Sequence, residues 1–194
     1  ALDREGAQLA AITHGHSLGY IPAAVLVHII NRIVFPKQQQ SLKDIVLEAR
    51  DTVAEVFCGD PYLDTMTGLI NLAVKLSEND EPDLDNIHRL GEGWVGEEAL
   101  VIALYCSLRH ADDFSAGLIA AVNHKGDSDS TGAIAGNILG AWVGYEAMEE
   151  RWKQHLELSD VILEIADDLS RLSDTEGAEF PPKWNRKYVQ MRRR

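Results

Sequence analysis

The sequence predicts an all-α fold, a compact bundle with inner and outer helices. Three observations carry that expectation. Apolar residues recur at three- and four-residue spacing through most of the chain. No strictly alternating stretch and no Asn-Gly hairpin signal interrupts them. No repeat of fixed period is present, and 194 residues suffice for one domain that buries about 70% of its unfolded surface.

In chain order, the first residues already read as helix. Pro22 sits where a first helical turn tolerates it, ahead of the apolar run AAVLVHIINRIVF, and Pro36 stops that run. In SLKDIVLEARDTVAEVF, residues Leu42, Ile45, Val46, Ala49, Val53, Val56 and Phe57 fall on one face. Ser41 is placed as N-cap, with Asp44 three residues on. LDTMTGLINLAVKL follows Pro61, again with one apolar face. EEALVIALYCSLR and FSAGLIAAVNH are apolar nearly all round, which predicts central helices packed on every side. SDVILEIADDLSRL closes the ordered part. Segments 36–41, 77–86 and 172–183 read as loops, so a helical domain over 1–172 is followed by a loop and basic tail over 173–194.

The net charge of −13 opposes binding to a phosphate backbone, and no nucleic-acid partner is expected. Residues 181–194, PPKWNRKYVQMRRR, hold six cations and no acid, which leaves −19 on residues 1–180. Such an end reads as a solvated or self-docking terminus. Cys58 and Cys106 lie in apolar surroundings and read as buried free thiols of a reducing compartment, which points to the cytoplasm. No apolar run approaches the ~20 residues of a membrane span, so no membrane partner is expected.

The chemistry concentrates in NHKGDSDSTGAIAGNILG, residues 123–140. One carboxylate suffices to cap a helix starting near Ser130. A second, two residues away, adds repulsion that a helix dipole offsets only in part and a divalent cation offsets far better. Asp127, Asp129 and Ser130 offer the hard oxygen ligands that Mg²⁺, Mn²⁺ or Ca²⁺ accept, so metal site and elaborate cap both stay open. An EF-hand fails, because the twelfth position from Asp127 is Ile138. A Walker A loop fails because Lys125 precedes Gly126. The His-Asp pair of a helical phosphohydrolase is broken by Ala111 in RHADD. Gly132, Gly136 and Gly140, four residues apart, let a neighbouring backbone approach. That places this helix in mid-bundle with its acidic turn at a cleft.

In ITHGHSLGYIPAA, His14 and His16 flank Gly15 without a third zinc ligand at a recognised spacing. The plainer reading is a turn with one buried, hydrogen-bonded histidine, and a ligand-facing histidine stays open.

Taken together, THGHSLGYIPAA, LGEGWVGEEALVIALYC and NHKGDSDSTGAIAGNILGA resemble, in that order, the later part of the ADP-ribosylglycohydrolase family. That family includes the dinitrogenase reductase-activating glycohydrolases and the J1 crystallins. The likeness runs from about residue 1 to about 170. It implies an all-α hydrolase with a binuclear Mg²⁺ or Mn²⁺ centre that cleaves ADP-ribose from an acceptor such as arginine or serine, on a protein or a small molecule. Asp127, Asp129 and Ser130 match the family's carboxy-terminal metal ligands, and His14 matches a position lining the ADP-ribose pocket. Gly93 and Trp94 match a loop near the nucleotide. Glu97 and Glu98 read instead as first-turn residues facing the helix dipole, and Trp142 and Tyr145 as core.

The resemblance also marks a departure. The family's Thr-Asp-Asp cluster and candidate catalytic carboxylate lie in an amino-terminal half, and neither Thr65-Met66-Thr67 nor Asp112-Asp113 replaces them. The expectation is therefore a piece that needs a complementary amino-terminal chain, with a helix such as EEALVIALYCSLR left exposing a face. A non-catalytic, crystallin-like role is the alternative.

Overall fold

A computed structural model describes residues 2–173 and 184–189. By backbone proximity the chain divides into two units, Ala1–Met148 and Glu149–Arg194. The first holds α1 (Leu2–Ala11), α2 (Ser17–Val34), α3 (Leu42–Val56), α4 (Leu63–Ser77), α5 (Asp83–Leu90), α6 (Gly96–Arg109), α7 (Phe114–Val122) and α8 (Ser128–Val143). A 3₁₀ turn, Tyr145–Ala147, follows. Among the described residues there is no strand.

α6 is the axis of the first unit. Every residue from Ala99 to Ser107 is buried, enclosed by α2, α3, α4, α5, α7 and α8. The expectation that this helix would present an uncovered face is therefore corrected: helices of this chain surround it. α7 departs in the other direction. Gly117 and Ala121 turn inward, yet Ile119 and Val122 are exposed, so it is not packed on every side. α2 is long and apolar enough by length and composition to cross a membrane, unlike the sequence expectation. In this fold Ile21, Ala24, Val25 and Ile29 are fully buried core.

Local signals account for most boundaries. Ser41 Oγ accepts from the Asp44 N–H at 3.1 Å while Asp44 Oδ2 accepts from the Ser41 N–H at 3.3 Å, the expected reciprocal cap of α3. The Ser41 hydroxyl and N–H hold the Asp44 carboxyl below its usual range. α2 begins at Ser17, five residues before Pro22, so Pro22 lies inside the helix rather than in its first turn. The cost is one hydrogen bond to the Leu18 carbonyl. α5 starts at Asp83, inside the segment expected to be loop.

The RHADD segment divides between two caps. Asp113 accepts from the Ala116 N–H at the start of α7, and His110 bonds Asp83 at 3.0 Å. Asp83 also accepts from the buried Tyr105 hydroxyl at 2.6 Å, and Asn86 donates to that hydroxyl at 3.2 Å. Burial and the Asp83 carboxylate push the Tyr105 phenol well above its ordinary range. This cluster ties α5 to α6 and takes up His110 of RHADD.

Cys106 is buried as expected, but Cys58 is exposed at the end of α3. Trp142 is half-buried against the core, whereas Tyr145 is 45% exposed and is not core.

In the second unit, a 3₁₀ turn, Glu150–Trp152, precedes α9 (Ser159–Ser173), and a π-helical turn spans Asn185–Val189. The Lys187 ammonium lies 2.6 Å from both Glu164 and Asp168, and the Tyr188 hydroxyl donates to Asp168 at 2.8 Å. This part of the basic tail therefore docks on α9. Most of the expected 172–183 loop, and the arginines at 192–194, lie outside the described residues.

Candidate functional site

The acidic turn is built on glycine. An added Cβ on Gly126 would fall 1.6 Å from the Glu92 carbonyl oxygen. That closeness lets the next residue, Asp127, donate its N–H to the same oxygen at 2.8 Å. Gly93 has φ +80°, and its missing Cβ would meet Thr131 Cγ2 at 3.0 Å and the Asp127 carbonyl at 3.3 Å. The 91–95 and 123–127 segments are thus laid backbone to backbone.

A side-chain relay underlies the turn. The Gly126 N–H donates to His124 Nδ1 at 3.1 Å, so the ring proton sits on Nε2. Nε2–H donates to Thr131 Oγ1 at 2.9 Å, and this fully buried hydroxyl donates to the Ala121 carbonyl at 2.7 Å. Glu98 performs the matching task opposite. Its Oε2 accepts from the Glu92 and Gly93 N–H groups, both at 3.1 Å. Glu98 is a first-turn residue of α6, as expected, but it acts on the preceding loop. Trp94 stands 65% exposed, its indole N–H donating to Glu92 at 3.2 Å.

α8 starts at Ser128, two residues earlier than the expected start, with Asp127 as N-cap residue. No capping hydrogen bond of good geometry runs from the helix to the Asp127 carboxyl, although the Ser130 N–H, three residues on, lies close enough to favour its charged form. That carboxyl is held below its usual range by Asp129, then by Ser130 and by nearby His124. With the Ser130 hydroxyl the two carboxyls supply oxygen ligands suited to Mg²⁺ or Mn²⁺, enough for part of a coordination shell. Among the described residues, no three His, Cys, Asp or Glu side chains cluster as a metal site.

The expected glycine stripe faces α7: an added Cβ would meet Val122 at 2.5 Å from Gly132 and Leu118 at 3.8 Å from Gly136. From Gly140 it would meet Met148 at 2.9 Å. A cleft of about 630 Å³ lies beside the acidic turn, lined by Ile87, His88, Glu92, His124, Lys125 and Gly126 among others.

The histidine turn lies at the same end. Gly96, at the start of α6, faces the Leu18 carbonyl at 3.0 Å, and Gly19 faces His14 Cβ at 2.9 Å, both measured to a built Cβ. His14 is exposed, with Nδ1 2.8 Å from Thr13 Oγ1. His16 is exposed as well, so the turn lacks the buried histidine expected there. Its Nδ1 accepts from the Leu18 N–H at 3.2 Å, capping α2, and its ring lies 4.4 Å from that of Tyr62. All three motif segments therefore meet at one end of the first unit, through the 91–96 loop. Sequence reasoning missed His124, Thr131 and Asp60. The first two carried a local signal, a histidine and a threonine flanking the acidic turn; the third had none.

Comparison with known proteins bears on the family. The ADP-ribosylglycohydrolase family model matches residues 1–179. ADP-ribosylhydrolase ARH3 of Gallus gallus is 26% identical over 182 residues, covering 84% of this chain and 50% of that protein. ADP-ribosylhydrolase ARH3 of Homo sapiens is 28% identical over 188 residues, covering 84% and 50%. An uncharacterized protein of Archaeoglobus fulgidus is 37% identical over 86 residues, covering 44% and 27%. The chain spans about half the length of the ARH3 relatives it matches. No solved structure matches it significantly.

Proposed function

Because the chain belongs to the ADP-ribosylglycohydrolase family, we propose that it serves hydrolysis of the glycosidic bond between ADP-ribose and an acceptor such as an arginine or serine side chain. The observation that supports this most is the meeting of the Asp127–Ser130 turn, the Gly93-Trp94 loop and the His14 turn at one end of the bundle. Asp127, Asp129 and Ser130 would hold Mg²⁺ or Mn²⁺, which supplies Lewis-acid stabilisation for the oxygens of the distal ribose.

The chain's own residues do the positioning. Gly126 and the His124–Thr131 relay fix the Asp127 backbone, so the carboxyl projects from a rigid turn. Gly93, held by Glu98, brings the exposed Trp94 ring alongside as an apolar surface for a nucleotide base. His14 offers its imidazole from the facing turn. In a chain this acidic, a pyrophosphate needs a bound cation or a helix N-terminus to offset repulsion.

Glycosidic cleavage also needs an acid–base carboxylate, worth about 10²–10⁴-fold. Asp127, Asp129 and Ser130 supply only part of a metal shell, and this reading assigns the acid–base role to none of the motif residues. One observation favours the alternative, a non-catalytic binding member: no third carboxylate or imidazole joins Asp127 and Asp129 among the described residues.

Two assays separate the readings. Mg²⁺-dependent ADP-ribose binding, lost in Asp127→Ala, is expected on the first. Equal ADP-ribose binding with and without Mg²⁺ supports the second. Release of ADP-ribose from modified arginine or serine peptides by these residues alone would place the acid–base carboxylate within this sequence.

A further inference from the structure

Asp60, in the loop between α3 and α4, has no part in the family motifs read from the sequence. Its carboxylate is nonetheless the meeting point of two segments far apart in the chain. Oδ2 accepts from the Ser17 hydroxyl at 2.7 Å and the Tyr20 hydroxyl at 3.2 Å, and Oδ1 accepts from the Tyr62 N–H at 2.9 Å. Ser17 and Tyr20 hydroxyls also bond each other at 3.1 Å. Three donors thus converge on one half-buried side chain. Burial pushes its carboxyl up, but bonds from Ser17, the Tyr62 N–H and Tyr20 outweigh this and leave it below its ordinary range.

Ser17 and Tyr20 are the first and fourth residues of α2, and between them lies Gly19. Gly19 is the seat of His14: a built Cβ there would fall 2.9 Å from His14 Cβ and 3.3 Å from the His14 carbonyl. His16 caps the same helix start and lies against Tyr62, the residue whose N–H Asp60 accepts. On its other side the helix start abuts Gly96. The turn carrying His14 is therefore gripped between the α3–α4 loop and the start of α6, and Asp60 supplies the polar half of the grip.

We propose that Asp60 is a positioning residue for the ADP-ribose pocket, fixing His14 through Ser17, Tyr20 and the first turn of α2. This rests on the reading that His14 faces the nucleotide. Its geometric core, that Asp60 orders the 13–20 turn, stands apart from that reading.

The test uses the 194-residue chain, with Asp60→Ala and, in case that variant folds poorly, Ser17→Ala/Tyr20→Phe. The double variant keeps the bond from the Tyr62 N–H. Amide hydrogen exchange and the His14 ring resonances report the turn; calorimetry with ADP-ribose and Mg²⁺ reports the pocket. In both variants we expect exchange at Leu18 and Gly19 to quicken and the His14 resonances to move. ADP-ribose affinity should fall about tenfold, the scale of a sub-ångström misplacement of a positioned group. His14→Ala should weaken it comparably. Unchanged exchange and unchanged His14 resonances in the double variant overturn the assignment, whatever the ligand does. Weaker binding in His14→Ala with full binding in Asp60→Ala also overturns it. If His14→Ala binds as wild type while the turn loosens in both variants, the pocket reading fails and only the structural role of Asp60 stands.

Discussion

Replacing Gly126 with alanine is expected to do more damage than any other single methyl added to the bundle. The new Cβ would sit 1.6 Å from the Glu92 carbonyl oxygen, and real Cβ atoms do not approach closer than 3.0 Å. The two segments must separate by at least about 1.4 Å. That stretches the 2.8 Å bond from the Asp127 N–H to Glu92 beyond hydrogen-bonding range, a loss of about 1 kcal/mol. Overpacking of a tight site adds about 1–3 kcal/mol. The total, about 2–4 kcal/mol, corresponds to a fall in Tm of roughly 5–15 °C for a domain of this size.

Thermal unfolding followed by circular dichroism measures it. Gly15→Ala is the control, because nothing lies within 4 Å of a Cβ there and its backbone is not left-handed. A Tm for Gly126→Ala within about 2 °C of the control would refute the claim that backbone contact holds the acidic turn.

Three further outcomes follow from the same structure. Thr131→Val keeps the shape but removes the donor to Ala121 and the acceptor for His124, so about 1–3 kcal/mol of stability should go, measured by urea unfolding. Ser41→Ala should cost about 1 kcal/mol through the cap of α3 and leave ADP-ribose binding unchanged, since the bonds of that cap run between Ser41 and Asp44. For pH, the folded-state carboxyls of Asp44, Asp60 and Asp127 lie below their ordinary values, so the unfolded chain takes up protons first as pH drops. Their contribution is present above the ordinary carboxylate range and disappears as pH falls through the lower folded values. Stability should therefore decline below about pH 4, with a shallower slope in Asp44→Asn, as read by acid titration of the far-ultraviolet signal.

Much of the fold was legible because helical periodicity is a local signal. The face of α3 and its Ser41–Asp44 cap follow from seventeen consecutive residues, and the structure reproduces both. Residue packing across the bundle is not local. α6 and α7 look alike in sequence, yet α6 is enclosed on every side while α7 leaves Ile119 and Val122 exposed. Apolar composition records how much surface a helix can bury, not how many neighbours arrive to cover it. Pro22 misled for a related reason: His16 caps the helix from outside, and the first turn forms without regard to the proline five residues on.

At the candidate site, Asp127, Asp129 and Ser130 could be picked out by type and spacing, and His14, Gly93 and Trp94 only through the family resemblance. Their supports could not. Asp60 meets Ser17 across 43 positions, and Gly126 meets Glu92 through backbone atoms that carry no residue-specific signature. A carbonyl oxygen looks the same in every residue, so only the absence of a Cβ at Gly126 hinted at the contact.

The most direct test of the account is a Mn²⁺ titration of the 194-residue chain, read by electron paramagnetic resonance as loss of the free-ion signal. The account predicts saturable binding by the wild type. Asp127→Ala and Asp129→Ala should each weaken it by at least about tenfold, because each removes one of few protein oxygens. Added ADP-ribose should tighten the wild-type binding. Identical titrations for wild type and both variants would contradict the account, and would leave the acidic turn as nothing more than the start of α8.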